Sequence, residues 1–177
     1  MILRPLPLMW AAAAVLTAYG FIRDPGPVPA QTPIISGVPF VVDGDTIVVN
    51  EIHIRLFGID APESAQICSD QDGDDYRCGL LATSLLEEEI AGRSVDCTPI
   101  DTDHYGRTVA ICAVGNIDLG RFMVERGLAV DENDSVEGFY DAAGRYAAAQ
   151  IEAKSAKRGI WAGWCEPPAK WRREHQP

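Results

Sequence analysis

The sequence predicts an α+β domain in which five short strands form a small closed barrel and three helices pack around it. Strand-like segments rich in β-branched and aromatic residues recur over residues 38–59 and 94–114, and turn residues separate them. Over residues 80–90 and in the last third of the chain, apolar residues recur at helical spacing. The chain has 177 residues, 47% hydrophobic and 23% charged. This composition excludes a wholly disordered chain and a multi-span membrane protein, and the length suits one domain.

Residues 1–22 form an apolar segment unlike the rest of the chain. Arg4 precedes an apolar run from Leu6 to Ile22, which is typical of a signal peptide or a single membrane anchor. The run is about as long as the shortest membrane-spanning helices, roughly 17 residues, whereas small residues before Gln31 suit signal cleavage. A cleaved signal is the preferred interpretation. Either alternative exports the protein, which is then periplasmic, secreted, or anchored in a membrane and facing outward.

The remaining chain is predicted to have three parts. Four prolines stiffen residues 23–33 into an extended linker. Residues 34–165 form the folded domain. Residues 166–177 are a basic and aromatic C-terminal tail, predicted to be a surface extension, with contact to phosphates as the alternative.

The predicted elements follow in chain order. Strands are expected at Val38–Val42, Thr46–Val49, Ile52–Ile59, Ser94–Thr98 and Arg107–Val114, with a helix at Leu80–Ile90 after the third strand. A second helix spans Leu119–Arg126, with Asp118 as its N-cap and Gly127 as its C-cap. A third runs from about Gly138 to Arg158 and stops at Gly159.

The net charge argues against a polyanionic partner. The formal charge is −11, with 26 acidic and 15 basic residues. Removing residues 1–30, which contain two arginines and one aspartate, leaves 25 acidic and 13 basic residues and a charge of −12. Such a field repels nucleic acid over a Debye length of about 8 Å at physiological salt. A nucleic-acid site therefore requires local positive charge.

Five cysteines follow the N-terminal segment, and export favours disulfides over metal-thiolate sites. Cys68 and Cys78 bracket an acidic loop, and Cys97 and Cys112 flank a turn at positions that can face each other across a hairpin. The sequence predicts the bridges Cys68–Cys78 and Cys97–Cys112, with Cys165 free. The alternative for the second pair is that both are small buried hydrophobic residues.

Carboxylates stand at the ends of predicted strands. Asp45, Asp60 and Glu63 lie where Gly44 and Pro62 force turns that can aim them at one place. Oxygen ligands suit a hard cation rather than zinc, so calcium is expected first and magnesium second. Taken alone, the segment around Gly44 is also an ordinary hairpin turn.

Two arginines complement these acids. Arg55 and Arg107 each offer a planar fork of donors that matches two phosphate oxygens. A divalent cation with two arginines suits phosphoryl chemistry, in which each preorganised positive group contributes roughly 3 to 4 kcal/mol to stabilising the transition state. The alternative for Arg55 alone is a surface ion pair.

With these acids and arginines, the sequence resembles the staphylococcal nuclease-like family, also called the thermonuclease or micrococcal nuclease family. The motifs that carry the resemblance are Asp-Gly-Asp-Thr at 43–46, Ile-Arg-Leu-Phe-Gly-Ile-Asp-Ala-Pro-Glu at 54–63, Asp-x-Tyr-Gly-Arg at 103–107, Gly-Leu-Ala at 127–129 and Arg-Gly-Ile-Trp at 158–161. The resemblance implies an OB-type five-stranded barrel with three helices. It also implies a Ca²⁺ held by Asp45, Asp60 and the backbone carbonyl of Ala61.

The resemblance further assigns the groups that act on substrate. Glu63 would contact the metal through a water and orient or deprotonate the attacking water. Arg55 and Arg107 would hold the phosphate and stabilise the transition state. The family cuts single-stranded or locally melted DNA, and RNA, to products with a 3′ phosphate. The implied protein is a monomeric phosphodiester hydrolase, a micrococcal nuclease-like endonuclease, without an organic cofactor.

Substrate contacts depart from the family pattern. His104 stands where the founding member has a lysine, beside Tyr105, which is expected to bind a neighbouring phosphate. Residues 130–137 are acidic and carry no stacking tyrosine, for which Phe139 or Tyr140 is a candidate substitute. Weaker and more salt-tolerant substrate binding is expected. The rival function is a non-catalytic OB-fold module that binds nucleic acid or protein.

Overall fold

The computed structural model describes residues 33–132 and 144–175. The strands are β1 (Ile35–Gly37), β2 (Phe40–Val41), β3 (Thr46–Val49), β4 (Ile52–Leu56), β5 (Ile59–Asp60), β6 (Cys68–Ser69), β7 (Asp75–Tyr76), β8 (Val95–Thr102), β9 (Thr108–Val114), β10 (Ile117–Asp118) and β11 (Val130–Asp131). The helices are α1 (Cys78–Ile90), α2 (Leu119–Glu125), α3 (Ala147–Ser155) and α4 (Pro168–His175), with a 3-10 helix at Gly159–Trp161.

Seven strands form the main sheet, in the order β1-β8-β9-β4-β3-β2, with β10 pairing with β9. The β4–β9 pairing is parallel and sets Arg55 opposite Val109, whereas the other pairs are antiparallel. Two small pairs, β5 with β11 and β6 with β7, lie apart from this sheet. The fold is thus α+β, as predicted, with a strand-rich sheet and four α-helices in the described residues.

The first and third strands come close at the rim of the sheet. The side-chain amide of Asn50, just after β3, donates to the carbonyl of Ser36 in β1 at 3.0 Å. A Cβ on Gly37 would lie 3.0 Å from a methyl carbon of Val49, so β1 passes tightly over the end of β3. Within the described residues, no backbone pairing closes the sheet into a barrel.

The predicted strands and helices match the structure best where a short stretch of sequence determines them. Thr46–Val49 is a strand with the predicted bounds. The predicted strand Ile52–Ile59 is broken at Phe57 and Gly58, where Gly58 takes a positive φ of 76° and turns the chain into β5. The helix predicted from about 138 to 158 is described only from 144, and there α3 covers Ala147–Ser155. The C-terminal tail is not a mere extension, because it forms α4.

The helices pack on a core of aliphatic strand residues. The largest fully buried apolar side chains are Ile47, Ile54, Leu56, Ile59, Leu86, Leu119 and Met123. The predicted N-cap is confirmed, because the Asp118 carboxylate accepts from the Arg121 amide at 3.0 Å.

The Gly-Leu-Ala and Arg-Gly-Ile-Trp motifs meet through their backbones. The Ile160 amide donates to the Gly127 carbonyl at 2.9 Å. Gly127 has a φ of 66°, and a Cβ there would collide with the Arg158 carbonyl. The contact therefore needs glycine at position 127 for both conformation and space.

The cysteines confirm one predicted bridge and change the other. Cys97 and Cys112 pair across β8 and β9 and form a disulfide. Cys68 lies within bonding distance of both Cys78 and Cys165. Because one sulfur forms one disulfide at a time, these three share a single bond. The prediction of a Cys68–Cys78 bridge with a free Cys165 does not account for this cluster, because the C-terminal segment folds back onto β6 and brings Cys165 to Cys68 as well.

The predicted signal or anchor, residues 1–22, and nearly all of the linker lie outside the described residues. Phe139 and Tyr140, the candidate stacking rings, also lie outside them. Within residues 33–132 and 144–175, no helix has the length and apolarity needed to cross a membrane.

Removing the β8–β9 bridge tests its contribution to stability. The double variant Cys97→Ala/Cys112→Ala should lose about 2 to 4 kcal/mol of unfolding free energy, because the bridge restricts the unfolded chain. Urea unfolding of the oxidised proteins measures the loss. An unchanged unfolding free energy would contradict a stabilising contribution from the bridge.

Candidate active site

The turn before β3 places Asp45 in a buried position. A Cβ on Gly44 would come within 2.7 Å of the Ala61 Cβ, so only glycine lets the turn approach β5 this closely. The Asp45 carboxylate accepts from the Ala61 amide at 3.1 Å and from the Thr46 hydroxyl at 3.0 Å. These bonds fix its orientation toward Arg55.

Arg55 lies in β4 with its guanidinium buried among acids. One terminal nitrogen donates to the Asp45 carboxylate at 3.1 Å, and the other contacts Asp60 at 3.4 Å. The second nitrogen also donates to the carbonyl of Ile59 at 3.2 Å and lies 3.9 Å from Glu132. Only 11% of the Arg55 side chain is exposed. Arg55 is therefore not a surface ion-pair residue.

Asp60 comes from β5, which pairs with β11. This pairing sets Asp60 opposite Val130. Glu132, two residues after Val130, donates its amide to the Gly58 carbonyl at 3.0 Å. Glu132 is thereby brought to the buried Arg55 guanidinium. One Asp60 oxygen, Oδ1, contacts arginines. The other, Oδ2, is buried and has no hydrogen-bond partner among the described residues.

Glu63 lies on a short loop that is held from two sides. The Glu63 amide donates to the side-chain oxygen of Gln66 at 3.2 Å, and the Gln66 amide nitrogen donates to the Glu166 carbonyl at 2.7 Å. Helix α1 starts against the Glu63 carbonyl, where a Cβ on Gly79 would collide with it. The Glu63 side chain is 22% exposed, so it reaches solvent beside the buried acids.

Arg172, from α4, completes this group. Its guanidinium contacts Asp60 at 2.8 Å through one terminal nitrogen and Glu63 at 2.8 Å through the other. The C-terminal helix thus bridges two of the three predicted carboxylates. Among the described residues, the oxygens of Asp45, Asp60 and Glu63 do not gather within 4.8 Å of one another.

Arg107 follows the turn between β8 and β9. Asp103 holds it by accepting from the Arg107 amide at 2.9 Å and from Nε at 2.7 Å. A terminal nitrogen of Arg107 lies 3.4 Å from the Thr46 hydroxyl, which itself donates to Asp45. Arg107 therefore joins the site through Thr46 and keeps 26% of its side chain exposed.

His104 and Tyr105 stand on the same turn and are exposed. Tyr105 is 76% exposed, and the Arg107 guanidinium lies 5.5 Å from its ring centroid. The two rings of the turn are 3.8 Å apart. The Tyr105 amide donates to the Asp103 carboxylate at 3.0 Å, which fixes the turn, and the roles of His104 and Tyr105 in substrate binding stay predictions.

Burial and mutual repulsion shape the ionisation of the acids. Burial raises the pKa of Asp60, and the nearby charge of Asp45 raises it further. The charges of Arg172 and Arg55 lower this pKa, but the net shift is upward. Burial would also raise the pKa of Asp45, but Arg55 and the Ala61 amide hold it below its usual value. Burial raises the pKa of Asp43 and of Glu132 to about 7 in each case.

The acids of this cluster are oxygen donors, the ligand type that a hard divalent cation binds. The carboxylates of Asp45, Asp60, Glu63 and Glu132 face two guanidinium groups, those of Arg55 and Arg172. Ionised, the cluster carries two negative charges in excess. The buried Asp60 Oδ2 without a hydrogen-bond partner offers an oxygen ligand, which costs free energy unless a donor or cation meets it.

A cleft of about 360 Å³ opens beside Asp60. Trp161 and Trp164 form aromatic walls, and Trp164 is 66% exposed. Lys154 lies 4.6 Å from the Trp161 ring centroid, and the Trp161 indole nitrogen is buried without a hydrogen-bond partner among the described residues. Cys165 also lines the cleft, so a cysteine adjoins the site.

The sequence therefore identifies most but not all of the cluster. Asp45 and Asp60 both contact Arg55, and the Ala61 amide donates to Asp45. Sequence reasoning missed Glu132 and Arg172. The basic and aromatic composition of residues 170–173 was a usable signal for Arg172, whereas Glu132 stood in an acidic run with no feature to distinguish it.

Known proteins match this chain over most of its length. It is 41% identical over 150 residues to the succinoglycan biosynthesis protein ExoI of Rhizobium meliloti, covering 84% of this chain and 73% of that protein. An uncharacterized endonuclease of Escherichia coli O157:H7 is 33% identical over 77% of this chain and 82% of its own length. The probable staphylococcal-like nuclease CAN3 of rice, Oryza sativa subsp. japonica, is 32% identical over 75% of this chain and 31% of its own.

A family model covers the stretch of the chain that holds four of the five motifs. The staphylococcal nuclease homologue model matches residues 53–163, well over half of the chain. The resemblance inferred from the motifs is thereby confirmed: this chain belongs to the staphylococcal nuclease homologue family.

Proposed function

We propose that this protein is an exported, Ca²⁺-dependent nuclease that hydrolyses phosphodiester bonds of DNA, RNA or both to 3′-phosphate ends. Membership of the family supports a phosphodiester hydrolase in general terms. The observation that carries the proposal is the buried contact of Arg55 with Asp45 and Asp60, beside Glu63. It combines oxygen ligands for a hard cation, a fixed guanidinium and a solvent-accessible carboxylate.

The acids would hold the metal and the water. Asp45, Asp60 and the Ala61 carbonyl are proposed as calcium ligands. When bound, the ion supplies a Lewis acid that neutralises charge on the phosphate. Glu63 would accept a hydrogen bond from the attacking water and orient it, or take its proton. Its partial exposure beside a buried cluster suits that position.

The arginines would stabilise the transferred negative charge. Arg55 is preorganised by Asp45 and by the Ile59 carbonyl, so it needs no reorganisation when a phosphate arrives. Arg107 is held by Asp103 through two hydrogen bonds and remains exposed enough to reach a leaving oxygen. These positive groups and the cation would supply positive charge at the bound phosphate, which the chain's overall charge of −11 would otherwise repel.

Single-stranded or locally melted nucleic acid is the proposed substrate. The aromatic walls of the cleft beside Asp60, formed by Trp161 and Trp164, suit the stacking of unpaired bases. Stacking depends little on salt, whereas backbone contacts to an acidic protein are weak. His104 and Tyr105 are proposed to contact a neighbouring phosphate from the exposed turn.

Two further features belong to this proposal. Export, by a signal or by an anchor, is supported by the apolar residues 6–22 and by the Cys97–Cys112 disulfide, because disulfides persist in oxidising compartments. An OB-type closed barrel is supported by the approach of β1 to the end of β3 through Asn50 and Ser36.

Calcium-dependent cleavage by wild type, with loss on Glu63→Gln, tests the activity. Turnover of denatured DNA should stop with a chelator, and Glu63→Gln should lower kcat by about 10² to 10⁴-fold because the water loses its base. Glu88→Gln, the same change at an exposed position of α1, is the matched control and should match wild type. End-group analysis should find 3′ phosphates. Binding of DNA without cleavage by wild type would instead establish the non-catalytic module.

Substitution of Trp164 tests the cleft as the place where bases stack. In a Glu63→Gln background, Trp164→Ala should weaken binding of a single-stranded oligonucleotide by about 1 to 3 kcal/mol, the usual worth of one base–aromatic stack. Fluorescence anisotropy in calcium measures the Kd. Phe40→Ala, which removes a 70% exposed ring on β2, is the control. Equal affinities for the Trp164 variant and the control would rule out the cleft.

The buried acids predict how pH affects the metal-free protein. Asp43 and Glu132 have folded-state pKa values of about 7, above their ordinary 3.8 and 4.5, so the folded state binds more protons between those limits. Unfolding free energy should therefore fall as pH rises toward 8 in the presence of chelator. Calcium at pH 8 should restore the Tm, and Glu132→Gln should flatten the pH dependence. A Tm that rises from pH 5.5 to 8 without metal would contradict this account.

A further inference from the structure

The C-terminal segment contacts the Glu63 loop at three places. The Arg172 guanidinium bridges Glu63 and Asp60, each at 2.8 Å. The Glu166 carbonyl accepts from Gln66, whose own side-chain oxygen accepts from the Glu63 amide. The backbones of Trp164 and Ser69 exchange hydrogen bonds of 2.8 and 3.1 Å. The loop that carries Glu63 is therefore braced by residues 164–172.

Arg172 differs from Arg55 in what it holds. Arg55 binds Asp45 and Asp60, which are buried and fixed by other bonds, whereas Arg172 binds the more exposed Glu63. A planar guanidinium with two engaged nitrogens fixes the distance between two carboxylates, which a lysine cannot do. Arg172 thus sets the position of Glu63 relative to Asp60.

We propose that Arg172 is a positioning residue for hydrolysis: it holds Glu63 at a fixed separation from the metal ligand Asp60 so that Glu63 can orient the water. This inference rests on the proposed nuclease function. It assigns a role in the site to a helix outside residues 53–163, the segment that defines the family match. Arg172 acts through Glu63 and does not itself touch the reacting atoms.

The proposal predicts that loss of Arg172 lowers turnover without weakening calcium binding. Arg172→Met removes the guanidinium that fixes the separation of Glu63 from Asp60, so kcat should fall by about 10 to 100-fold, as for other residues that orient active-site groups. KM should change little. The same variant removes a positive charge beside Asp60, so calcium should bind at least as tightly as to wild type. A merely structural loss would weaken calcium binding and lower Tm together.

The experiment compares full-length wild type with Arg172→Met, Arg172→Lys and Arg173→Met. Arg173 is the neighbouring, exposed arginine of α4 and provides a matched control. kcat and KM on single-stranded DNA at saturating calcium, the calcium Kd by titration calorimetry, and Tm are measured for each. We expect kcat to fall for both Arg172 variants and to stay at the wild-type value for Arg173→Met. Should Arg172→Met fail to fold, Arg172→Lys keeps the charge without the fork and should still lose kcat.

A double-mutant cycle with Glu63→Gln decides whether Arg172 acts through Glu63. Arg172→Met should cost nothing further in kcat when Glu63 is already glutamine. An equal additional loss in that background, an unchanged kcat for Arg172→Met, or a lower kcat that more calcium restores would each overturn the inference. Each of these outcomes leaves the nuclease proposal intact, because that proposal fails only if wild type itself does not cleave.

Discussion

The buried contact of Arg55 with Asp45 and Asp60 is the interaction on which the rest of the site depends. A charge taken out of water is costly unless oppositely charged and hydrogen-bonded partners surround it. Here the partners come from a turn, from β5 and, through Glu132, from the end of β11. The antiparallel pairing of β3 with β4, which sets Thr46 opposite Arg55, and the pairing of β5 with β11 are what bring those segments to one guanidinium. The fold and the site are thus built by the same strand pairings.

An excess of acid over arginine is the second constraint. Asp43 and Glu132 are pushed toward neutrality by burial, and Asp60 by burial and by Asp45. A site in this state is unfavourable when empty at high pH and favourable once a divalent cation is bound. The acidity argues against nucleic acid at the level of the whole chain, but at the site it is what would bind the proposed cation, and the cation would attract a phosphate.

The C-terminal segment explains how the loop that carries Glu63 is ordered. The role proposed for Glu63 requires that its carboxylate reach water, and the side chain is indeed more exposed than that of Asp45. Its position is instead maintained from outside, by the start of α1 at Gly79 and by α4 through Arg172. A single disulfide of Cys68, with either Cys78 at the start of α1 or Cys165 in the C-terminal segment, adds a covalent link to one of these segments. The side chains of the site are therefore held in place both by the sheet and by helix α4.

The sequence by itself determined the elements that depend on local patterns, such as the Thr46–Val49 strand and the Asp118 cap, and the acids and arginines that stand in recognisable motifs. Spacing along the chain carries that information because turn residues and strand ends are local features. Only the tertiary structure decided that Glu132 and Arg172 join the cluster, since they approach it through long-range packing of β11 and α4. It also showed that both Cys78 and Cys165 lie beside Cys68. The fold brings residue 165 back to β6, and separation along the sequence does not reveal such a contact.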